Sequence, residues 1–126
     1  MDTINTRPLS DDDRRRFAAL LPEGRALTEQ VDIEPYVREE RDKFFGRTRL
    51  VLRPGTVQEV ASIMRLASET RTPVVPQGGN TGLVGGQTPR TGGSDLIVSL
   101  ERMNKIRDVD PVANVLVCDA GAILAE

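Results

Sequence analysis

Histidine and tryptophan are absent from the 126-residue sequence, cysteine occurs once, and aromatic residues make up only 3% of it. Without histidine, the commonest general base and the commonest metal ligand are both missing. The single cysteine, Cys118, can form neither an intrachain disulfide nor a thiolate cluster, a count that fits a reducing compartment. No metal site is therefore expected within these residues, and no catalytic residue is assigned to them. No apolar run is long enough to span a bilayer. The opening Met1-Asp2-Thr3-Ile4-Asn5 has neither the basic head nor the apolar stretch of a secretory signal, so a cytoplasmic protein is expected. An excess of positive charge is also missing. Seventeen basic residues against nineteen acidic ones give a net charge of -2, and the basic residues are scattered rather than gathered in a stripe. That distribution excludes a nucleic-acid partner from the expectations.

What is present reads as one soluble globular unit, with 38% hydrophobic and 29% charged residues. Ser10 ahead of Asp11, Asp12 and Asp13 marks a helix start, with the acids set against the positive end of the helix dipole. Phe17, Ala18, Leu20 and Leu21 give it an apolar face, and Pro22 and Gly24 stop it. Residues 26–46 are charged and irregular, anchored by Pro35, Tyr36, Val37, Phe44 and Phe45, and are expected to hold one or two helical turns. Residues 1–45 are thus taken as an N-terminal helical lead-in and 46–126 as the main unit.

In that unit Leu50-Val51-Leu52 is a short apolar run of buried-strand type, closed by Pro54-Gly55. Thr56-Val57-Gln58-Glu59 matches a capping box, followed by Val57, Val60, Ala61, Met64 and Ala67 at helical spacing as the expected buried face. Pro73-Val74-Val75-Pro76 is the next strand, which makes a βαβ unit. Residues 95–100, 106–110 and 115–118 are further strands, the last two joined as a hairpin through Pro111-Val112-Ala113-Asn114. Cys118 is expected as a small buried strand residue. Asp119-Ala120-Gly121 reads as a tight turn, and 122–125 as the first turn of a helix, which points to a longer protein. The fold class expected is α+β, a βαβ unit followed by a glycine-rich loop and further strands.

Between the second and third strands lies Pro76-Gln77-Gly78-Gly79-Asn80-Thr81-Gly82-Leu83-Val84-Gly85-Gly86, with five glycines in nine residues. Positions without side chains let several amides converge on one anion. Arg90 is the only basic residue from Gln77 to Thr91, so a phosphate here would be held mainly by backbone amides. A nucleotide P-loop needs G-x-x-x-x-G-K-[ST], yet no lysine occurs between Lys43 and Lys105. A dinucleotide fingerprint needs G-x-G-x-x-G opening a helix, whereas G-G-x-x-G-x-x-G-G here runs into Gln87-Thr88-Pro89. A wide structural turn would account for two glycines, but hardly for five around an Asn-Thr tip. The loop reads as a phosphate cradle between two strands.

On Leu52 to Val60, Pro73 to Pro89, Ser99 to Ile106 and Asp119-Ala120-Gly121, the sequence resembles the FAD-binding half-domain of the vanillyl-alcohol oxidase / p-cresol methylhydroxylase flavoprotein superfamily. The branch it is most similar to contains D-2-hydroxyglutarate dehydrogenases, D-lactate dehydrogenases and glycolate oxidase flavin subunits. The resemblance covers about residues 36 to 126 and implies that 46–126 is the first part of a PCMH-type FAD-binding domain. It implies that Gly78, Gly79, Asn80, Thr81 and Gly82 bind the FAD pyrophosphate, that Gly85, Gly86 and Gln87 close over the cofactor, and that Pro76 and Gln77 set the approach of the strand. Ser99, Met103 and Asn104 would shape the pocket, although core packing explains Met103 equally well. Asp119 and Gly121 would approach the cofactor, or simply make their turn. With no histidine, FAD would be held non-covalently by this region. The full protein would oxidise a small 2-hydroxy acid, pass electrons to an acceptor, and be compatible with a homodimer. Two other readings stand beside this one: a truncated non-catalytic fragment, and a nucleotide-binding module of another α/β type.

Overall fold

The computed structural model describes residues 7–39 and 44–124. The opening pentapeptide lies outside the described residues, as does Ala125 of the expected terminal helix. Residues 122–124 form no helix.

Helix α1 (Asp11–Ala18) starts where the acid run announced it, and Ser10 Oγ accepts a hydrogen bond from the Asp13 N–H at 3.1 Å. The lead-in is more regular than its sequence. Ala26 and Leu27 form strand β1, and Gln30–Val37 form helix α2. Pro35 sits inside α2, where its ring removes an amide donor, and the helix ends two residues later. Strand β2 (Val51–Leu52), helix α3 (Val57–Thr70), strand β3 (Val74–Gln77) and strand β4 (Leu96–Ser99) follow. The sheet order is β1-β2-β4-β3, with β4 parallel to both β2 and β3 and β1 antiparallel to β2. The two ends of the βαβ unit therefore do not pair; the next strand in the chain inserts between them.

Period-two alternation sorts the strand side chains into two cores. Leu50, Leu52, Leu96 and Val98 face one way and pack with Phe17, Leu21, Ile63, Leu66 and Ala67, so α1 and α3 cover that face. Val51 and Ile97 face the other way, against Ile33 and Val37 of α2. Coverage on both faces explains why the strands read as unbroken apolar runs rather than alternating ones.

Helix α3 is rotated from the expected face. Ile63, Leu66 and Ala67 are buried, whereas Val57 is 66% and Met64 47% exposed. Its cap also differs in detail. Thr56 Oγ1 accepts from the Glu59 N–H at 3.1 Å, but Glu59 Oε1 takes the N–H of Gly55 (2.9 Å), one residue before the cap.

Strands β5 (Ile106–Asp110) and β6 (Val115–Cys118) pair antiparallel as a separate two-stranded sheet, joined by the turn at 111–114 with Asn114 at φ 55°. Every residue of both strands is exposed. Cys118 is consequently exposed, not buried, because the hairpin packs on neither core.

Candidate functional site

The parallel strands β2, β3 and β4 end at one edge of the sheet, and the residues leaving those ends meet around a cleft of ≈ 630 Å³. Arg53 follows β2, Gln77, Gly78, Gly79 and Asn80 close β3, and Glu101 and Asn104 follow β4. Tyr36 and Asp32 enter from α2, and Gly121 from the turn after β6. The carboxyl edge of a parallel sheet is where open α/β folds bind ligands, because the loops diverge there and leave a crevice.

Helix α2 clamps the glycine loop. Gln77 is buried, and its Nε2 donates to Tyr36 O (2.7 Å) and Gln87 O (3.1 Å). Asn80 Nδ2 donates to Pro35 O (3.0 Å) and Arg38 O (2.7 Å). Carbonyls at the last turn of a helix have no intrahelical partner, so the two amide side chains satisfy α2 while fixing the loop. Asn80 adopts φ 59°, a left-handed conformation that asparagine tolerates better than most residues. Its side-chain amide thus anchors the loop instead of standing free at the tip, as the sequence alone suggested.

Two features of the loop remain unengaged. The backbone N–H groups of Gly79, Asn80, Thr81 and Gly82 donate no hydrogen bond within the described residues. The Oδ1 of Asn80 is buried without a partner. A Cβ built on Gly79 would meet nothing within 4 Å, so the backbone there faces open space.

The cleft lining also holds an ionic cluster. The Tyr36 hydroxyl donates to Glu101 Oε1 at 2.5 Å, and Arg53 Nη1 stands 3.8 Å from the same oxygen. Burial, followed by the Glu101 hydrogen bond and charge, pushes the Tyr36 phenol up to about 12, with Arg53 acting in the other direction. Sequence reasoning did not select Tyr36, Arg53 or Glu101 for a site. Arg53 and Glu101 did fall inside the segments that carry the family resemblance, and that was the available signal.

Arg90, the basic residue of the loop, is committed elsewhere. Its guanidinium grips the buried Asp95 carboxylate through Nη2 (2.6 Å) and Nε (3.1 Å), and its own N–H donates to Asp95 Oδ2 (2.8 Å). Burial raises the Asp95 carboxyl, but the Arg90 hydrogen bonds and charge outweigh it and hold the group below its ordinary value. Arg90 thus engages Asp95 with its fork and does not line the cleft.

The remaining expected residues fall into two groups. Gln77, Gly78, Gly79, Asn80, Asn104 and Gly121 line the cleft. Pro76, Thr81, Gly82, Gly85, Gly86 and Gln87 do not line it. Pro76 pairs with Val98 in the sheet, Gln87 Nε2 donates to Gly82 O (2.8 Å), and Gly85, at φ +80°, lies under the Phe44 ring, where a Cβ would come within 3.0 Å. Ser99 is fully buried and Met103 half-buried, and neither reaches the cleft. Asp119 gives its carboxylate to Arg107 (2.7 Å) and to the Lys105 N–H (3.2 Å), so it braces the hairpin rather than facing the cleft. No group of three or more acidic or cysteine side chains positioned to hold a metal occurs among the described residues.

Residues 48–126 match the family model of an FAD binding domain. The chain belongs to that family. Among curated proteins it is 40% identical over 116 residues to the mitochondrial D-2-hydroxyglutarate dehydrogenase of Bos taurus, covering 92% of this chain and 21% of that one. It is 33% identical over 124 residues to the D-2-hydroxyglutarate–pyruvate transhydrogenase of Saccharomyces cerevisiae, covering 97% and 25%. The chain thus spans a fifth to a quarter of the length of these relatives. Among solved structures, p-cresol methylhydroxylase superposes with a TM-score of 0.74 at 23% identity over 92% of this chain and 24% of its own. The fold is that of the first part of a PCMH-type FAD-binding domain, as the resemblance implied.

The residues present fit FAD. The free N–H groups of 79–82 suit the anionic diphosphate, and the orphaned Asn80 Oδ1 suits a hydroxyl donor of the cofactor.

Proposed function

We propose that this chain is the FAD-binding portion of a flavin-dependent D-2-hydroxy-acid dehydrogenase, whose whole polypeptide oxidises a D-2-hydroxy acid such as 2-hydroxyglutarate, lactate or glycolate to the 2-oxo acid. The observation that carries the reading is the row of unengaged amides at 79–82, which starts at Gly79 and Asn80 in the cleft lining and is fastened to α2 through Asn80. The names of the similar proteins support the substrate class. FAD, when bound, accepts the hydride equivalent released from the α-carbon. The residues of this chain bind and orient. The amides of Gly78, Gly79, Asn80, Thr81 and Gly82 receive the diphosphate, Gln77 and Asn80 keep the loop in register, and Pro76 sets the strand's exit. In this reading Gly85, Gly86 and Gln87 form the flap of the loop, braced by Phe44, that closes over the cofactor.

The attachment is non-covalent for this region, since the chain has no histidine to carry a flavin link. In this reading residues 1–45 are the N-terminal helical lead-in, which supplies α2 as the clamp, and 46–126 are the first part of the FAD-binding domain. A 2-hydroxy acid and an electron acceptor are the partners of the full protein, and a homodimer is compatible with it. No helix among the described residues is long and apolar enough to cross a membrane. The cytoplasmic placement is kept as part of this reading. The mitochondrial names of several relatives make cell fractionation its test.

The deciding experiment is a visible spectrum of the full-length protein after gentle purification. Bound flavin released intact by denaturation is the expected result. No flavin, even after FAD is added, sinks the proposal, and tighter binding of NAD than of FAD in a titration counts equally against it.

A further inference from the structure

We propose that Arg53 is the anion-recognising side chain of this cleft, restrained by a Tyr36-anchored Glu101 until a diphosphate ligand takes its place. The inference rests on the FAD reading above and assigns a second element to that site, on the same cleft as Gly79 and Asn80.

Among the described residues lining the cleft, Arg53 is the one cation, beside the carboxylates of Asp32 and Glu101. A ligand with a diphosphate entering there meets two negative groups, and among the described lining residues Arg53 is the side chain that can offset them. The backbone of Arg53 donates to Arg25 O at 2.9 Å, and its Nη2 donates to Gly24 O at 2.6 Å. The side chain is thereby held at the sheet edge. The rest of its fork is poorly used. Nε is buried with no partner, and Nη1 reaches only to 3.8 Å from Glu101 Oε1, beyond hydrogen-bond distance. A buried charged donor without an acceptor is costly, and it favours any anion that can supply one.

Glu101 is occupied by Tyr36 rather than by Arg53. The same Oε1 accepts the Tyr36 hydroxyl at 2.5 Å. A ligand that recruits Arg53 therefore gives up a loose contact, not a bidentate pair. The contrast with Arg90 is direct. Arg90 closes on Asp95 with two short bonds from its fork, 2.6 and 3.1 Å, and has a buried carboxylate to lose. Arg90 is locked to the residue that precedes β4, whereas Arg53, at the carboxyl edge beside the cleft, keeps a buried Nε without an acceptor. Guanidinium is well matched to phosphate oxygens, which accept its parallel N–H groups.

The proposal makes the two charged members of one cluster act in opposite directions. FAD affinity is measured by fluorescence on the flavin-free full-length protein for wild type, Arg53→Met, Arg53→Lys and Glu101→Gln. Arg53→Met is expected to weaken FAD at least tenfold, with Arg53→Lys between it and wild type. Glu101→Gln keeps an oxygen for Tyr36 but removes the competing charge, so FAD should bind severalfold tighter. Riboflavin, which has no phosphate, should lose nothing in Arg53→Met. If Arg53→Met fails to fold, Arg53→Lys and Glu101→Gln still give the opposite signs. Equal weakening by Glu101→Gln and the Arg53 variants overturns the proposal and leaves the cluster a structural brace. So does unchanged FAD affinity in the Arg53 variants. Failure of the wild type to bind FAD at all would instead overturn the functional reading on which this one rests.

Discussion

Gly121 shows how far a single position can be fixed by its neighbours. A Cβ built there would stand 1.7 Å from Leu100 O and 2.8 Å from Met103 O, both backbone atoms that cannot swing aside. Its own N–H donates to Met103 O at 2.9 Å. Gly121→Ala should therefore destabilise the fold by about 2 kcal/mol or more, read from urea unfolding. An alanine variant within about 0.5 kcal/mol of wild type would show that the turn is not held as described. Asp95 gives a pH prediction. Its folded carboxyl titrates below the unfolded value of about 3.9, so its contribution is fully present above that pH. The contribution is lost as pH falls through the folded value. Wild type should lose stability on acidification below about pH 4 more steeply than Asp95→Asn, which should be less stable at neutral pH and flatter in acid. Matching slopes for the two proteins would remove Asp95 from the account.

Helix α3 shows what an element owes to its surroundings. Its start and length were legible, because a Thr56 cap and a long apolar-periodic run are local signals. Its facing direction was not. Val57 and Met64 satisfied the helical spacing as well as Ile63 and Leu66 did, and only the sheet decided which stripe is covered. Ile63→Ala should cost about 2–4 kcal/mol in chemical denaturation, because it removes a fully buried side chain from between α3 and the sheet. Val57→Ala should cost less than about 0.5 kcal/mol in the same assay. Comparable losses for the two would restore the face expected from the sequence. Helix α2 was harder still to see. Pro35 disguises it, it has no side-chain cap, and its stabilisation comes from the glycine loop and from Val51 and Ile97 on the sheet.

For the molecule as a whole, the uneven feature is the hairpin β5–β6. A two-stranded sheet with no core is marginal in water. Here Val109 and Leu116 are cross-strand partners, yet they are 62% and 52% exposed. Hydrogen exchange should find the amides of β5 and β6 exchanging orders of magnitude faster than those of β4, whose four residues are all buried. Equal protection would mean that the hairpin is covered in solution. The cleft carries apolar lining from Leu27, Val31, Pro35 and Ile123 beside its amides and ionic groups, but the chain spans only a fifth to a quarter of the length of its relatives, and the burial the rest would add is not in it. The 126-residue chain alone should accordingly bind FAD weakly, and a tight stoichiometric complex in a titration would contradict this.

The sequence by itself determined strands β2 to β6, the caps of α1 and α3, the glycine loop and the family, because each is written in contiguous residues whose propensity or spacing is local. It also led to the expectation that the loop works through its amides, since Arg90 is the one basic residue from Gln77 to Thr91. Tertiary structure decided what those amides face. It used Asn80 and Gln77 to fasten the loop to a helix some forty residues away in the chain, and drew the stretch from Gly82 to Gln87 back from the cleft. It also brought Tyr36, Arg53 and Glu101 together from three elements. Such contacts depend on strand order and on which face each helix covers. Those are set by the burial of one core against another, and no window of adjacent residues contains that information.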